Sequence, residues 1–191
     1  MPASVPLASA RSDARRNSAR LVAAAAKVFS EKGTNASLDE IARRAGLGSA
    51  TLYRHFPTRD SLLTAVFWDR VEDLCSCGEG LAKAPDPDEA LITWLRALIE
   101  LTMQRGLAAA LMGECGQETS RLFAMTRQWL KDTAQPLVDR ARRDGSFRSD
   151  LSADLVVTFA HAIAMCAVVQ PDAAGAADRM LSMLVDGLRT R

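Results

Sequence analysis

Apolar residues recur at a spacing of three or four positions along almost the whole chain. In the first long segment Leu21, Ala24, Ala25 and Val28 follow this spacing, which places them on one face of an α-helix. No segment shows the strict alternation of apolar and polar residues that is typical of a half-buried strand. The pattern therefore predicts an all-α protein.

Glycines and prolines interrupt the helical pattern and set the ends of the predicted elements. Nine helices are expected, at 11–32, 38–45, 49–56, 59–77, 87–105, 107–112, 118–143, 152–169 and 173–189. Most are long and amphipathic, but the second and third are short and follow each other closely.

The sequence SLDE, from Ser37 to Glu40, predicts the start of the first short helix. A serine at this position can accept a hydrogen bond from the backbone three residues later, while the glutamate reaches back to the serine N–H, an arrangement called a capping box. Gly46 suits the left-handed backbone that ends a helix sharply. Two short helices joined by such a turn are typical of a helix-turn-helix unit.

The second short helix has two contrasting faces. Leu52 and Phe56 are expected to pack against Ile41 and Phe29. The residues left facing outward are small or form hydrogen bonds: Ser49, Ala50, Thr51, Tyr53, Arg54 and His55. Small residues allow a helix to approach the major groove of DNA, where Tyr, His and Arg reach phosphates or base edges. This face is the candidate DNA-binding surface.

Three residues after this helix extend the prediction. Pro57 ends the helix, Thr58 is expected to cap the next one, and Arg59 is expected to bind a phosphate from its first turn. Arg15 and Arg16, ahead of the helix-turn-helix, are candidates for an arm that contacts the DNA backbone or minor groove, with a solvated face as the alternative.

Charge divides the chain into two parts. Residues 1–60 carry ten Lys and Arg against five Asp and Glu, whereas residues 61–191 carry fourteen against eighteen. A basic segment favours a polyanionic partner at one end of the chain. The net charge of the whole chain is only +1, which argues against an architectural protein that coats DNA without sequence preference.

Other function classes find little support. The four cysteines, at positions 75, 77, 115 and 166, have no regular spacing, which favours a reducing cytoplasmic setting. No apolar run is long enough to span a membrane. We find neither a nucleophile with its base nor an HExxH, Walker or dinucleotide motif, so no enzyme activity, cofactor or metal site is expected. A metal-sensing regulator is the alternative that uses the cysteines and His161.

Large or polarizable side chains concentrate beyond residue 60, where they are predicted to line a ligand cavity. These candidates are Trp94, Met103, Met112, Phe123, Met125, Trp129, His161 and Met165. Methionine adapts a pocket to varied apolar ligands. Taken singly, each of these residues fits ordinary core packing better than a ligand contact, and it is their concentration that predicts a cavity.

The last two predicted helices, 152–169 and 173–189, carry apolar residues at helical spacing and are separated by Pro171. Such a pair from each of two subunits would close a four-helix bundle with twofold symmetry. The chain is therefore expected to form a homodimer. The residues at this spacing are Leu155, Val156, Phe159, Ile163, Met180, Leu184 and Leu188.

Residues 21–67 resemble the N-terminal DNA-binding domain of the tetracycline-repressor (TetR) family, through the motifs F-x-E-K-G, I-A-x-x-A-G and T-L-Y-x-H-F. Residues 88–112 resemble the SbtR-like subgroup. The resemblance implies a homodimeric repressor that binds a palindromic operator and is released by a small molecule; control by a protein partner is the alternative. The DNA contacts that it implies are Ser37, Ser49, Ala50, Thr51, Tyr53, His55 and Arg59.

The same resemblance implies the division of the chain. Residues 1–10 are expected to form a flexible tail, 11–58 the helix-turn-helix domain, and 59–191 the effector-binding and dimerisation domain. Members often carry serine where Gly48 stands, and Ser49 is expected to take over the capping role.

Overall fold

The computed structural model describes residues 7–103 and 117–190, with side chains at 12–103 and 124–190. The described residues form eight helices and no strand. The helices are α1 (Leu7–Lys32), α2 (Leu38–Arg44), α3 (Ser49–His55), α4 (Arg59–Leu81), α5 (Pro87–Met103), α6 (Gln117–Arg143), α7 (Ala153–Ala167) and α8 (Ala173–Leu188). The all-α prediction is confirmed, and the predicted helix at 107–112 lies outside the described residues.

Two helix ends differ from the prediction by four residues, and the others agree within two residues. α1 begins at Leu7, four residues before the predicted helix start at residue 11. α4 continues past Gly78 to Leu81, although glycine there suggested a break. A Cβ built on Gly78 would lie 2.4 Å from Cγ2 of Thr133 and 2.8 Å from Nε1 of Trp94. The glycine therefore serves close packing against its neighbours and does not end the helix.

The chain divides into two compact units, and the division falls between Asp69 and Arg70, inside α4. The sequence placed this boundary at residue 58. The difference arises because Leu62, Leu63 and Val66, from the first half of α4, are fully or almost fully buried in the core of the first unit.

The core of the first unit joins α1, α2, α3 and the start of α4. Leu52 and Phe56 share this core with Ile41 and Phe29, as the helical spacing predicted. Burying an apolar side chain of this size contributes roughly 1.5–3 kcal/mol. This packing fixes the inner face of α3 and leaves its outer face to solvent.

The start of α2 corrects the predicted capping box. Ser37 has an extended backbone, and its side chain makes no capping hydrogen bond. Glu40 instead binds Nζ of Lys32, at 2.8 Å from each carboxylate oxygen, and Nη2 of Arg44 at 3.0 Å. Charge-assisted bonds of this kind are stronger than a bond to a neutral backbone N–H, so Glu40 does not reach back to Ser37.

Reciprocal capping occurs two helices later, at the start of α4. The backbone N–H of Ser61 donates to Oγ1 of Thr58 at 3.1 Å, and the N–H of Thr58 donates to Oγ of Ser61 at 3.2 Å. The predicted cap at Thr58 is thus confirmed. Gly46 also behaves as predicted, with a φ of +65° in the turn that follows α2.

The second unit is a helical bundle in which α7 packs against α5, α6 and α8. Asp86 caps α5 by accepting from the N–H groups of Asp88 and Glu89, Ser152 caps α7, and Asp172 caps α8. Trp94 is completely buried in this bundle. Among the described helices, none has the length and apolar character needed to cross a membrane.

Candidate DNA interface

The outer face of α3 presents the residues that the sequence selected. Tyr53 is 49% exposed, Ala50 and Arg54 are exposed, and Thr51 and His55 are half-buried. The buried side of the same helix is held by Leu52. The structure therefore brings the predicted α3 residues onto one seven-residue helix with its core side anchored.

Ser49 is the first residue of α3, but it does not cap the helix. The N-cap is Gly48, with an extended backbone and no side-chain bond, so the expected capping role of Ser49 is wrong. Its hydroxyl donates instead to Oδ1 of Asp39 in α2 at 2.6 Å. A capping oxygen must face the N–H groups at the start of its own helix, whereas this one is directed toward α2.

Asp39 is the residue of this surface that the sequence analysis missed. It is exposed and lies ten residues before its partner Ser49. Nothing in the local sequence marks it, because an aspartate in the first turn of a helix is already explained by the positive end of the helix dipole.

Ser37 and Arg59 flank the helix-turn-helix. Ser37 is exposed just before α2. Arg59 is half-buried, and its Nη1 donates to the carbonyl oxygens of Thr34 at 2.8 Å and Ala36 at 2.6 Å. The predicted phosphate contact of Arg59 stays a prediction. Because Nη1 binds the two carbonyls, a phosphate would accept from the N–H groups on Nε and Nη2.

Ion pairs neutralise part of the acidic charge close to this surface. Nη1 of Arg44 lies 2.7 Å from Oε2 of Glu31, in addition to the bonds that Glu40 makes to Lys32 and Arg44. The hydrogen bond from Lys32 is the main reason that the pKa of Glu40 is lowered. This network ties the end of α1 to α2 through side chains that are partly exposed.

The predicted ligand-binding residues that the structure describes are dispersed in the second unit. The indole N–H of Trp94 donates to the carbonyl of Leu74 at 3.2 Å, inside the core. Trp129, Met165 and Met125 are 37%, 47% and 63% exposed. Met112 and the side chain of Phe123 lie outside the described residues.

His161 is half-buried in α7. Burial lowers the pKa of its imidazole, and the positive charge of Arg127 acts in the same direction, while a hydrogen bond to the backbone of Val157 opposes them. These conditions favour the neutral ring.

A groove of about 320 Å³ lies between α5 and α8, and Met103 is the one predicted ligand residue among its lining groups. Its walls are apolar, from Ile99 and Leu181 among others. An ion pair between Nε of Arg96 and Oδ1 of Asp178, at 3.3 Å, lies at its edge.

The predicted dimer residues divide between core and surface. Val156, Ile163 and Leu188 are buried within the unit itself, whereas Leu155 and Phe159 are 43% and 37% exposed. The buried three therefore stabilise the subunit, and the exposed residues, with the half-buried Met180 and Leu184, are the ones left to contact a partner.

Two of the described cysteines, Cys75 and Cys77, lie on α4 in different environments. Cys75 is buried and Cys77 is exposed on the same helix, and burial raises the pKa of the Cys75 thiol. Within the described ranges, no group of three or more His, Cys, Asp or Glu residues is placed to hold a metal ion.

Comparison with known families decides the identity of the chain. Residues 21–66 match the family described as bacterial regulatory proteins, tetR family. Residues 86–190 match the family described as transcriptional regulator SbtR-like, C-terminal domain, which is more than half of the 191 residues. The chain belongs to the TetR family.

Solved TetR-family structures cover this protein almost completely. A TetR transcriptional regulator from Streptomyces coelicolor is 36% identical, with a TM-score of 0.74, over 90% of this chain and 98% of that one. A TetR transcription regulatory protein from Mycobacterium vanbaalenii is 31% identical, with a TM-score of 0.73, over 94% and 99%.

A curated relative supports the assignment of the DNA-binding domain. An HTH-type transcriptional regulator of Staphylococcus aureus is 43% identical over 53 residues, which are 27% of this chain and 29% of that protein. The match thus spans less than a third of the relative. As a TetR-family member with a helix-turn-helix, the protein is a DNA-binding transcriptional regulator, and the resemblance read from the sequence is confirmed.

Proposed function

We propose that this TetR-family protein is a cytoplasmic, non-enzymatic repressor that binds a palindromic operator as a homodimer and is released by a small molecule. The outer face of α3 supports the binding of operator DNA. Ala50 is exposed at the start of this helix and Tyr53 is 49% exposed on the same surface, so the helix can enter a major groove while Arg54 reaches the DNA backbone.

Selection of bound fragments from a random DNA pool tests operator recognition. A twofold repeat is expected, with half-sites separated by about one helical turn or a multiple of it. Equal affinity for every duplex, with no recovered sequence, would instead indicate a non-specific DNA binder and contradict the proposal.

A stripe of exposed apolar residues on α7 supports the homodimer. Leu155, Phe159, Ala162 and Cys166 are exposed at successive spacings of four, three and four residues, the spacing of a helix seam that packs against another helix. Val169, 76% exposed, continues the stripe beyond the end of α7. On α8 the side chain of Met183 is also 76% exposed. Two copies of this surface would bury apolar area that a monomer leaves in water.

Charged substitutions locate the dimer interface. Phe159→Lys places a charge in the middle of the stripe and is expected to convert the dimer to a monomer, measured by sedimentation, and to abolish protection of the operator. Met125→Lys is the matched control, because Met125 is 63% exposed and lies on another helix, α6. If Met125→Lys dissociates the dimer and Phe159→Lys leaves it intact, the interface lies on α6 and the proposed stripe is wrong.

The groove between α5 and α8 is the proposed effector site among the described residues. Its wall contains Met103, and Ala174 lines it from an exposed position. Ala174→Phe is therefore expected to fill the groove without overpacking the core, and to blunt the response to an effector while operator affinity is unchanged.

Reciprocity gives a test for any candidate effector. A coupling of about 2.7 kcal/mol between the two sites weakens operator binding about a hundredfold, and operator must weaken effector binding by the same factor. A metabolite that binds equally well with and without operator is not the effector. If no member of a broad metabolite panel binds, control by a protein partner becomes the better interpretation.

A further inference from the structure

The bond between Ser49 and Asp39 crosses the helix-turn-helix and joins its two short helices. Ser49 Oγ and Asp39 Oδ1 are 2.6 Å apart. Asp39 is exposed and Ser49 is half-buried, so the pair lies at the surface beside the outer face of α3.

The direction of this bond follows from the chemistry of its two groups. An ionised carboxylate has no proton and accepts only, so the serine hydroxyl donates. A hydroxyl has a single proton, and the bond to Asp39 uses it. Bonds of a hydroxyl to a carboxylate are among the stronger hydrogen bonds of proteins. The oxygen of Ser49 still has lone pairs, so it can accept a hydrogen bond from a ligand but has no proton left to donate.

An acceptor at this place limits what Ser49 can bind. Phosphate oxygens are acceptors themselves, and the negative charge of Asp39 repels them. In the major groove, the donors are the N4 amino group of cytosine and the N6 amino group of adenine. The N6 amino group of adenine lies between two acceptors, its own N7 and O4 of the paired thymine. The N4 amino group of cytosine has an acceptor on one side only, O6 of the paired guanine, so its other side is open to the acceptor oxygens of Ser49 and Asp39.

We propose that Ser49 and Asp39 together read a cytosine in each operator half-site, with Ser49 contacting the N4 amino group and Asp39 fixing the hydroxyl as an acceptor. The inference rests on the sequence-specific DNA binding proposed above. Asp39 is thereby a specificity-determining residue, and Ser49 is a base contact instead of a phosphate contact.

Modified operators provide the test, once random-pool selection has given the half-site. Each cytosine is replaced in turn by 5-methylcytosine, which keeps the amino group, or by a uracil–adenine pair, which presents an oxygen in its place. At one position in each half-site, uracil should weaken binding by about 5- to 150-fold, the range that corresponds to about 1–3 kcal/mol for a good base contact. The 5-methylcytosine operator should bind within about threefold of the unmodified one if the amino group is what is read.

Protein variants connect that position to the pair. Asp39→Asn leaves a side chain of the same shape that also donates hydrogen bonds, so the hydroxyl of Ser49 is no longer held as an acceptor. The preference for cytosine over uracil should fall to within about threefold at that position alone, and Ser49→Ala should have the same effect at the same position. Thermal unfolding checks that both variants are folded.

Glu40→Gln is the matched control. It removes one negative charge from the same helix but leaves Ser49 and Asp39 untouched, because Glu40 pairs with Lys32 and Arg44. It should retain the full cytosine preference. If Asp39→Asn tightens binding to all sequences equally and keeps that preference, Asp39 acts only as a repulsive charge and the inference is wrong. If the wild-type protein selects no sequence at all, the proposed operator binding fails first, and the inference fails with it.

Discussion

Two glycines of α4, Gly78 and Gly80, should respond in opposite ways to the same substitution. They lie two residues apart in one helix. Gly78 is buried against Thr133 and Trp94, whereas a Cβ on Gly80 would have no atom within 4 Å. Changing each to alanine therefore separates the effect of packing from the intrinsic preference of the helix.

The magnitudes follow from the contacts. In a helix interior, alanine is more favourable than glycine by up to about 1 kcal/mol. Gly80 is the second-last residue of α4, so Gly80→Ala should gain part of this. At Gly78, the added methyl would lie 2.4 Å from Thr133 and 2.8 Å from Trp94. The ring of Trp94 is 0% exposed and bound to Leu74, so it cannot move aside. Overpacking of this kind costs about 1–3 kcal/mol, which makes Gly78→Ala destabilising.

Thermal unfolding followed by circular dichroism measures the difference between the two variants. A packing cost of about 1–3 kcal/mol corresponds to a Tm lower by roughly 2–12 °C for Gly78→Ala than for Gly80→Ala in a chain of this size. Adding Thr133→Ser to Gly78→Ala should recover part of the loss, because serine lacks Cγ2 and keeps the hydroxyl bond to Trp129. Equal Tm values for the two alanine variants would refute the packing explanation.

Substitutions at three further residues test other contacts. Burial lowers the pKa of His161 below its ordinary value of 6.5, so the unfolded chain takes up a proton more readily than the folded protein and stability falls as the pH falls. His161→Gln should therefore reduce the loss of stability between about pH 7 and pH 5. The pH dependence of Tm measures this loss. Arg140→Ala should lower the unfolding free energy by about 1–3 kcal/mol, since its guanidinium binds the carbonyls of Ala82 and Ala84 at 2.6 Å each; Arg140→Lys should restore little of it, because lysine cannot bind both in the same fork geometry. Arg59→Ala should weaken binding to every DNA sequence and lower the log–log salt slope by about 1; an unchanged slope in a titration over several salt concentrations would mean that Arg59 holds only protein carbonyls.

The helices and the core of the first unit were predictable because they depend on local spacing. Leu52 and Phe56 lie four residues apart and had to share a face, so their burial followed from the sequence. The cap at Thr58 depends on Ser61, three residues away. Features of this kind involve neighbours in the chain, and the sequence contains both partners within one turn of helix.

The errors have a common physical origin in contacts between distant residues. The capping box at Ser37 failed because Lys32, eight residues before Glu40, captures the carboxylate. Gly78 resembled a helix break because the partner that requires it, Thr133, is on another helix. The bond between Ser49 and Asp39 depends on the turn geometry of the folded motif, so it could not be predicted from the sequence pattern.

Arg59 turns the helix-turn-helix into a closed loop. Its guanidinium fastens the first residue of α4 to the carbonyls of Thr34 and Ala36, which lie 25 and 23 residues earlier, so the entry to α2 and the exit from α3 meet at one side chain. Unfolding only one end of this segment releases little conformational entropy, because both short helices stay constrained until the hydrogen bonds of Arg59 break. The amide protons of α2 and α3 are therefore expected to exchange with solvent in a single cooperative step, and the DNA-reading surface behaves as one unit that is either assembled or absent.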